Sequence, residues 1–386
     1  MTNPGGTGSR AALNSPRWAA LPPTRGESVR RTAPNGIVNT PVWFARFGVF
    51  IADCFDTGGP EPSRQLQTGF LHGPAIIIRV HGVNLSIQIG KLTLQNPVMV
   101  ASGTFGYGVE YAQLLDLNQL GAVVVKGICL KPVRGNPTPR TVEVASGLIN
   151  AIGLQGPGVD GFIKKYWPFL KSLKVPTIIN IWGTTVEEYA EVARRFDALD
   201  GVGALELNVS CPNLKEGGAQ FGTDLKLLAQ VVAACRKVTT LPLITKMSPN
   251  VVSIAPYARA AEDAGSDALA ITNSYPAMAI DIETRKPKLA NVTGGLTGPC
   301  IKPIAIKLVW EAAQAVKIPI IGMGGIQNAA DAIEFMMAGA TAVAVGTANF
   351  FEPQTALQVI VGISKFMREK SITDVCEITA GVQARN

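Results

Sequence analysis

Eight short apolar runs alternate with amphipathic stretches of helical period between residues 97 and 367, and this alternation narrows the fold more than any other feature. The runs are Pro97–Ala101, Ala122–Lys126, Thr177–Ile181, Ala204–Asn208, Leu243–Lys246, Ala268–Thr272, Pro319–Gly322 and Ala342–Val345. The helical patterns cover Thr185–Leu199, Leu225–Val238, Val252–Ala264, Ile301–Val316, Asn328–Ala338 and Pro353–Met367. Runs so short and so continuously apolar suit strands buried on both faces, which is the situation of a parallel sheet whose crossovers are helices. Eight such units predict an α/β fold of the (β/α)8 TIM barrel type. Alternation in Leu85–Leu94, broken at Gly90-Lys91, predicts an N-terminal β-hairpin that plugs the barrel's N-terminal end. Gly127–Trp167 is a long insertion after strand 2 that would cover the barrel mouth. A doubly wound sheet is the competing architecture, disfavoured because no GxGxxG follows the first run.

Chemistry in such barrels gathers at the C-terminal ends of the strands. Those ends bring Ser102, Lys126, Asn180, Asn208, Lys246, Asn273, Gly324-Gly325 and Gly346-Thr347. A lysine closing a buried strand is seldom there for packing, so Lys126 and Lys246 point to an anionic ligand or a reduced flavin ring. The alternative is that each snorkels to solvent. Glycine pairs after strands seven and eight, with Gly298 in the preceding Thr293–Gly298 loop, fit a phosphate cradle of backbone N–H groups. The ligand they imply is a phosphorylated cofactor such as FMN.

The loop Asn208-Val-Ser-Cys-Pro-Asn213 places a thiol beyond strand four. Only two histidines, His72 and His81, occur in the chain, and both precede the barrel pattern. Serine triads, Cys/His dyads and His-ligated metals are therefore excluded, and proton chemistry falls to Cys211, a lysine, a carboxylate or a hydroxyl. A lone cysteine is more often an inert small hydrophobe, but the polar loop and two nearby lysines favour a thiolate at Cys211. Leu214–Asp224, Gly-rich behind Cys211, reads as a hinged lid.

Six scattered cysteines without a CxxC pair indicate reduced thiols in a cytoplasmic protein, with neither disulfides nor a metal cluster. No apolar run approaches the ~18 residues that a membrane span needs. The net charge of +7 owes much to residues 1–83, with eight arginines against four carboxylates, and no basic patch interleaved with aromatics argues for nucleic acid. Residues 1–82, rich in Pro, Gly, Arg, Ser and Thr, are expected to be a disordered or dispensable extension. Residues 83–386 would then form one catalytic barrel domain.

Taken in order, several motifs resemble dihydroorotate dehydrogenases, and specifically the NAD-linked class 1B catalytic subunits. They are Asn208–Asn213 running into Gly217–Asp224, Asn136-Pro-Thr-Pro-Arg140, Asn150–Gln155, Lys288–Asn291, Thr293–Pro299, Ile321–Ile326 and Ala344–Phe350. The resemblance implies that Cys211 is the base taking the C5 proton of dihydroorotate while hydride passes from C6 to FMN. It implies that Lys126, Asn150, Ala151, Ile152, Gly153, Leu154, Asn208, Asn273 and Ser274 hold the substrate. It assigns FMN to Ser102, Lys126, Gly127, Asn180, Asn208, Lys246, Thr272, Gly298, Gly324, Gly325, Gly346 and Thr347. It further implies a separate electron-transfer subunit carrying FAD and a [2Fe–2S] cluster, in a heterotetramer of two catalytic and two electron-transfer chains. Gly127, Thr272 and Ser274 depart from the residues usual there, which are Ala, Ile and Thr. The competing readings are a dihydropyrimidine dehydrogenase-like barrel, the fumarate-linked class 1A enzyme, an aldolase-type lyase with Lys246 as its Schiff base, and a flavin-binding barrel without activity.

Overall fold

Eight strands that are almost wholly buried form one parallel sheet curled around a common axis in the computed structural model, which describes residues 82–209 and 221–383. A two-stranded hairpin comes first, β1 (Ile87–Ile89) and β2 (Leu92–Leu94), paired antiparallel with Ile87 opposite Leu94. Ile89 and Leu94 are fully buried, and the Gly90 turn lies against Asp267, at the N-terminal entrance of a barrel strand. The hairpin thus covers the barrel's N-terminal end, as expected.

The barrel strands, in chain order, are β3 (Val98–Val100), β4 (Val123–Ile128), β7 (Thr177–Ile181), β8 (Ala204–Asn208), β9 (Leu243–Lys246), β10 (Ala268–Ile271), β15 (Ile320–Met323) and β16 (Ala342–Val345). Each pairs in parallel with its neighbours in sequence, and β16 returns to β3. The last seam, between β3 and β4, consists of a bridge from Met99 to Ala122 and the Gly121 N–H donating to the Val98 carbonyl at 2.7 Å.

The helical layer comprises α1 (Gly158–Lys165), α2 (Trp167–Lys171), α3 (Val186–Asp197), α4 (Leu225–Arg236), α5 (Ala255–Asp263), α6 (Lys302–Ala313), α7 (Ala329–Met337) and α8 (Thr355–Glu369). Three of these starts are legible in the sequence. Thr185, Asp224 and Asn328 each accept a backbone N–H of the first turn, satisfying donors that the helix itself leaves unpaired. The crossover from β3 to β4 contains no α-helix among the described residues. It travels by turns and a short 3₁₀ segment, Leu117–Gln119, so the eight units are not uniform.

The expected insertion after strand 2 is half of a larger element. It contributes the hairpin β5 (Thr141–Val144) and β6 (Gly147–Asn150). A second excursion, after β10, contributes β11 (Tyr275–Ala277), the small ribbon β12 (Ile280–Asp281) and β13 (Lys286–Pro287), and β14 (Gly294–Thr297). Together β11, β14, β6 and β5 make a four-stranded antiparallel sheet, with Gly295 opposite Asn150 and Leu296 opposite Ile149. The Thr293–Gly298 segment, read from sequence as a loop, is therefore mostly strand. Ile149, Ala151 and Leu289 form this sheet's own small core.

Among the described residues, no helix is long and apolar enough to cross a membrane. Of the extension expected over residues 1–82, residues 1–81 lie outside the described residues.

The β3–β4 seam generates a stability prediction. A Cβ at Gly121 would sit 2.2 Å from the Asn96 carbonyl oxygen and 2.9 Å from that of Val98, both backbone atoms that cannot rotate away. Gly121→Ala should destabilise the domain by at least the ~1–3 kcal/mol typical of overpacking. Thermal unfolding followed by circular dichroism should register a lower Tm, and an unchanged Tm would contradict the seam.

Candidate active site

Residues i and i+2 of a strand share a face, so each barrel strand sends alternate side chains to the axis and the last inward residue of each meets the mouth. Asn180 on β7, Asn208 on β8 and Lys246 on β9 are these residues, and all three are buried. Lys126 lies within β4 rather than at its end, where the register with β7 shifts between Val125 and Ile128. Ser102 follows β3, and Thr272, Asn273 and Ser274 follow β10. The peptide bond joining Ile271 to Thr272 is cis, which nothing in the sequence signals.

One cavity at the C-terminal mouth is lined by nearly every described residue that the sequence singled out. Its wall includes Ser102, Lys126, Gly127, Asn150, Ile152, Gly153, Leu154, Asn180, Asn208, Lys246, Thr272, Asn273, Ser274, Gly298, Gly324, Gly325, Gly346 and Thr347. Ala151 is the exception. It is fully buried in the core of the four-stranded sheet beside Ile149 and Leu289, because strand alternation turns it away from the faces of Asn150 and Ile152. Its backbone is held instead: its N–H donates to the Arg140 carbonyl at 2.7 Å, and its carbonyl accepts from Asn136 Nδ2 at 3.0 Å. Cys211 and residues 210–220 of the loop and lid lie outside the described residues.

The polar groups of the wall are largely cross-linked before any ligand enters. Lys246 Nζ donates to Ser102 Oγ at 3.0 Å, spanning from the fifth strand to the end of the first. Asn273 Nδ2 donates to Asn208 Oδ1 at 3.1 Å, and the Asn273 amide oxygen accepts the Ser274 backbone N–H at 2.8 Å. The Asn208 carbonyl is pinned from behind by the Tyr189 hydroxyl at 2.7 Å. Asn150 Nδ2 donates to the Gly295 carbonyl at 3.2 Å, which ties the wall to the second excursion. Two buried side-chain atoms of lining residues, Asn180 Oδ1 and Thr272 Oγ1, have no hydrogen-bond partner among the described residues. Leaving such atoms unpaired costs roughly 1–3 kcal/mol each, a cost that a partner from a bound molecule would offset.

The opposite end of the cavity is backbone. Gly298, Gly324 and Gly325 all have positive φ, at 101°, 127° and 82°. A Cβ on Gly325 would also come within 2.8 Å of the Gly298 carbonyl, so both conformation and close packing demand glycine here. Beyond them, α7 begins at its Asn328 cap and a 3₁₀ turn, Thr347–Phe350, follows Gly346. Successive exposed N–H groups on glycine turns can surround an anion.

Several lining residues escaped the sequence reading. Thr141 and Leu148 belong to the β5–β6 hairpin, which reaches the cavity only through its pairing with β14. Met323 and Ala344, on β15 and β16, carry no chemical signal beyond their strands. Glu206, on β8 beneath Asn208, was also missed. It is 1% exposed and accepts from Asn180 Nδ2 at 2.5 Å. Its signal was available: a carboxylate inside an apolar run, on the same face as Asn208.

Comparison with known proteins adds an independent line. A family model described as dihydroorotate dehydrogenase matches residues 84–367. The dihydroorotate dehydrogenase B (NAD(+)) catalytic subunit of Trichlorobacter lovleyi is 54% identical over 299 residues, covering 78% of this chain and 98% of that one. Its counterpart from Geotalea uraniireducens is 52% identical over 295 residues, covering 76% and 97% of the two chains. That from Desulforamulus reducens is 53% identical over 296 residues, covering 77% and 97%.

Of the described cysteines, Cys129 and Cys235 are buried, Cys300 is half-buried and Cys376 is exposed. Burial pushes the thiols of Cys129 and Cys235 up to about 12, reinforced at Cys129 by the nearby Glu188 charge. A raised thiol pKa keeps the unreactive protonated form through neutral and mildly alkaline pH. Iodoacetamide at mildly alkaline pH should leave Cys129 and Cys235 unmodified in the folded chain and label both after unfolding, as read by peptide mass spectrometry. Rapid labelling of either in the native state would contradict this placement.

Proposed function

The chain belongs to the dihydroorotate dehydrogenase family and, as an NAD+-linked class 1B catalytic subunit, oxidises dihydroorotate to orotate; from that premise we propose how its residues divide the work. The observation that carries the assignment is one cavity in which two lysines, a linked set of asparagine amides and a set of glycine turns fit for an anion converge. Orotate is a planar anion with ring N–H and carbonyl groups. Lys126 meets its carboxylate, while Asn150, Asn208, Asn273 and Ser274, with the Ile152-Gly153-Leu154 turn, match the ring's donors and acceptors. Ala151 contributes by holding that turn in place through its backbone rather than by touching the ring.

FMN fits the rest of the wall on three grounds. Asn180 Oδ1 and Thr272 Oγ1 are buried polar atoms that lack partners, Lys246 and Ser102 supply a fixed polar edge, and Gly298, Gly324, Gly325, Gly346 and Thr347 offer backbone N–H groups to a phosphate. Gly127 and Asn208 complete the flavin's surroundings. When bound, FMN supplies the two-electron acceptor for the hydride leaving C6. Cys211 removes the C5 proton, acting as the thiolate that this step needs.

Electrons then leave through a separate subunit carrying FAD and a [2Fe–2S] cluster to NAD+, in an assembly of two catalytic and two electron-transfer chains working in the cytoplasm. Uracil-type dihydropyrimidines lack the carboxylate assigned here to Lys126, which disfavours that alternative. Lys246, engaged with Ser102, is better read as a cofactor contact than as a Schiff-base lysine.

The purified chain should show a flavin spectrum that bleaches on anaerobic addition of dihydroorotate. A colourless protein, or bleaching by dihydrouracil alone, would overturn the assignment. Cys211→Ala should retain the flavin and lose roughly 10²–10⁴-fold in the rate of its reduction near neutral pH. Stopped-flow measurement of the reductive half-reaction decides this, and a near-normal rate would remove Cys211 from the mechanism.

A further inference from the structure

Glu206 is the described carboxylate most deeply placed in the barrel, and no step above uses it. At 1% exposure it sits one inward position below Asn208 on β8, directly opposite Asn180 of β7 in the strand register. A carboxylate has only acceptors to offer, so the Asn180 amide must turn its NH2 toward Glu206, and Nδ2 does donate to Oε1 at 2.5 Å. The other end of the amide is then committed. Asn180 Oδ1 is left buried and without a partner among the described residues, beside Gly127, and both residues line the cavity.

Space for that oxygen comes from the neighbouring strand. A Cβ at Gly127 would lie 2.8 Å from Asn180 Oδ1 and 3.1 Å from the Trp182 ring. The glycine therefore leaves room for the orientation that the carboxylate imposes.

We propose that Glu206 is a positioning residue that fixes the Asn180 amide with its oxygen toward the cofactor, so that the site selects a ligand presenting an N–H or O–H donor there. An amide without such a partner can present either end, and a flipped amide would confront the ligand's donor with its own. Buried hydrogen bonds to charged groups are among the stronger ones, and their loss leaves the partner unsatisfied as well. The inference rests on the reading of the cavity as an FMN site and adds to it the group that sets the polarity of one contact.

The test is an exchange of the two groups, read by titrating FMN into the deflavinated full-length chain and following flavin fluorescence, with Tm and circular dichroism of each apoprotein alongside. Glu206→Met removes the acceptor at similar volume and should weaken FMN binding by about 10- to 100-fold. Glu206→Gln keeps a carbonyl that can still accept from Asn180, and should stay within about fivefold of the unaltered chain. Asn180→Asp alone sets two carboxylates face to face and should lose FMN. The double variant Asn180→Asp/Glu206→Gln restores an amide donating to a carboxylate with an oxygen still toward the cavity, and should recover binding at least about tenfold over Asn180→Asp. If Glu206→Met does not fold, the near-isosteric exchange pair carries the test alone. A double variant that folds like the unaltered chain yet binds FMN no better than Asn180→Asp overturns the proposal. So does a folded Glu206→Met chain that binds FMN normally. Failure of the unaltered chain to bind FMN would instead overturn the cofactor reading itself.

Discussion

The closure of eight parallel strands onto one axis is the constraint from which everything else in this molecule follows. Closure depends at its last step on β3 approaching β4, where Met99 bridges to Ala122 and the chain passes Gly121 with no room for a side chain. Once the ring is shut, inward residues of different strands become neighbours at right angles to the chain direction. Lys246 can then reach Ser102 from across the ring, and Asn180 can meet Glu206 from the adjacent strand. The lower layers of the barrel are apolar and exclude water, so polar groups at the top must pair with each other or await a ligand. The pattern of pairing and non-pairing at the mouth is therefore itself a description of what binds there.

The mouth is roofed by a second construction with a different logic. Two excursions more than a hundred residues apart meet as β6 and β14, and their antiparallel pairing ties the Asn150–Leu154 turn to Gly294–Thr297. A small apolar core under this sheet takes up Ile149, Ala151 and Leu289. Alternation along the chain then leaves Asn150 and Ile152 for the cavity. The Asn150–Leu154 turn is held by hydrogen bonds with Asn136 and Arg140 rather than by the barrel. The other end of the cavity, by contrast, is built from barrel-strand termini and the glycine turns at Gly298, Gly324 and Gly325.

Much of this was legible in the residues. The barrel strands Thr177–Ile181, Ala204–Asn208, Leu243–Lys246 and Ala342–Val345 stand where the apolar runs put them, since strands buried on both faces must be continuously apolar. Thr185, Asp224 and Asn328 announced three helix starts by capping chemistry. What escaped was the set of features that depend on distant pairing. The second excursion carries too little periodicity to declare strands, because β11 to β14 are two to four residues long and stabilised by partners far along the chain. Ala151 was grouped with its neighbours because a motif read as a string carries no parity. Glu206 was passed over inside an apolar run because its partner, Asn180, is known only once the strands are aligned.

The sequence by itself determined the fold class, the family and the identity of the groups at the strand ends, because periodicity, strand length and residue chemistry are properties of local chain and need no partner to be read. Tertiary structure alone decided which of those groups are already satisfied and which are left buried with an unmet hydrogen bond. Hydrogen-bond partnership across a closed barrel is set by register and by the direction of each side chain, and neither exists until the strands have met. The orientation of the Asn180 amide, dictated by Glu206 and permitted by Gly127, is the clearest case. Each of the three residues is visible in the sequence, and only the register of β4, β7 and β8 brings them together.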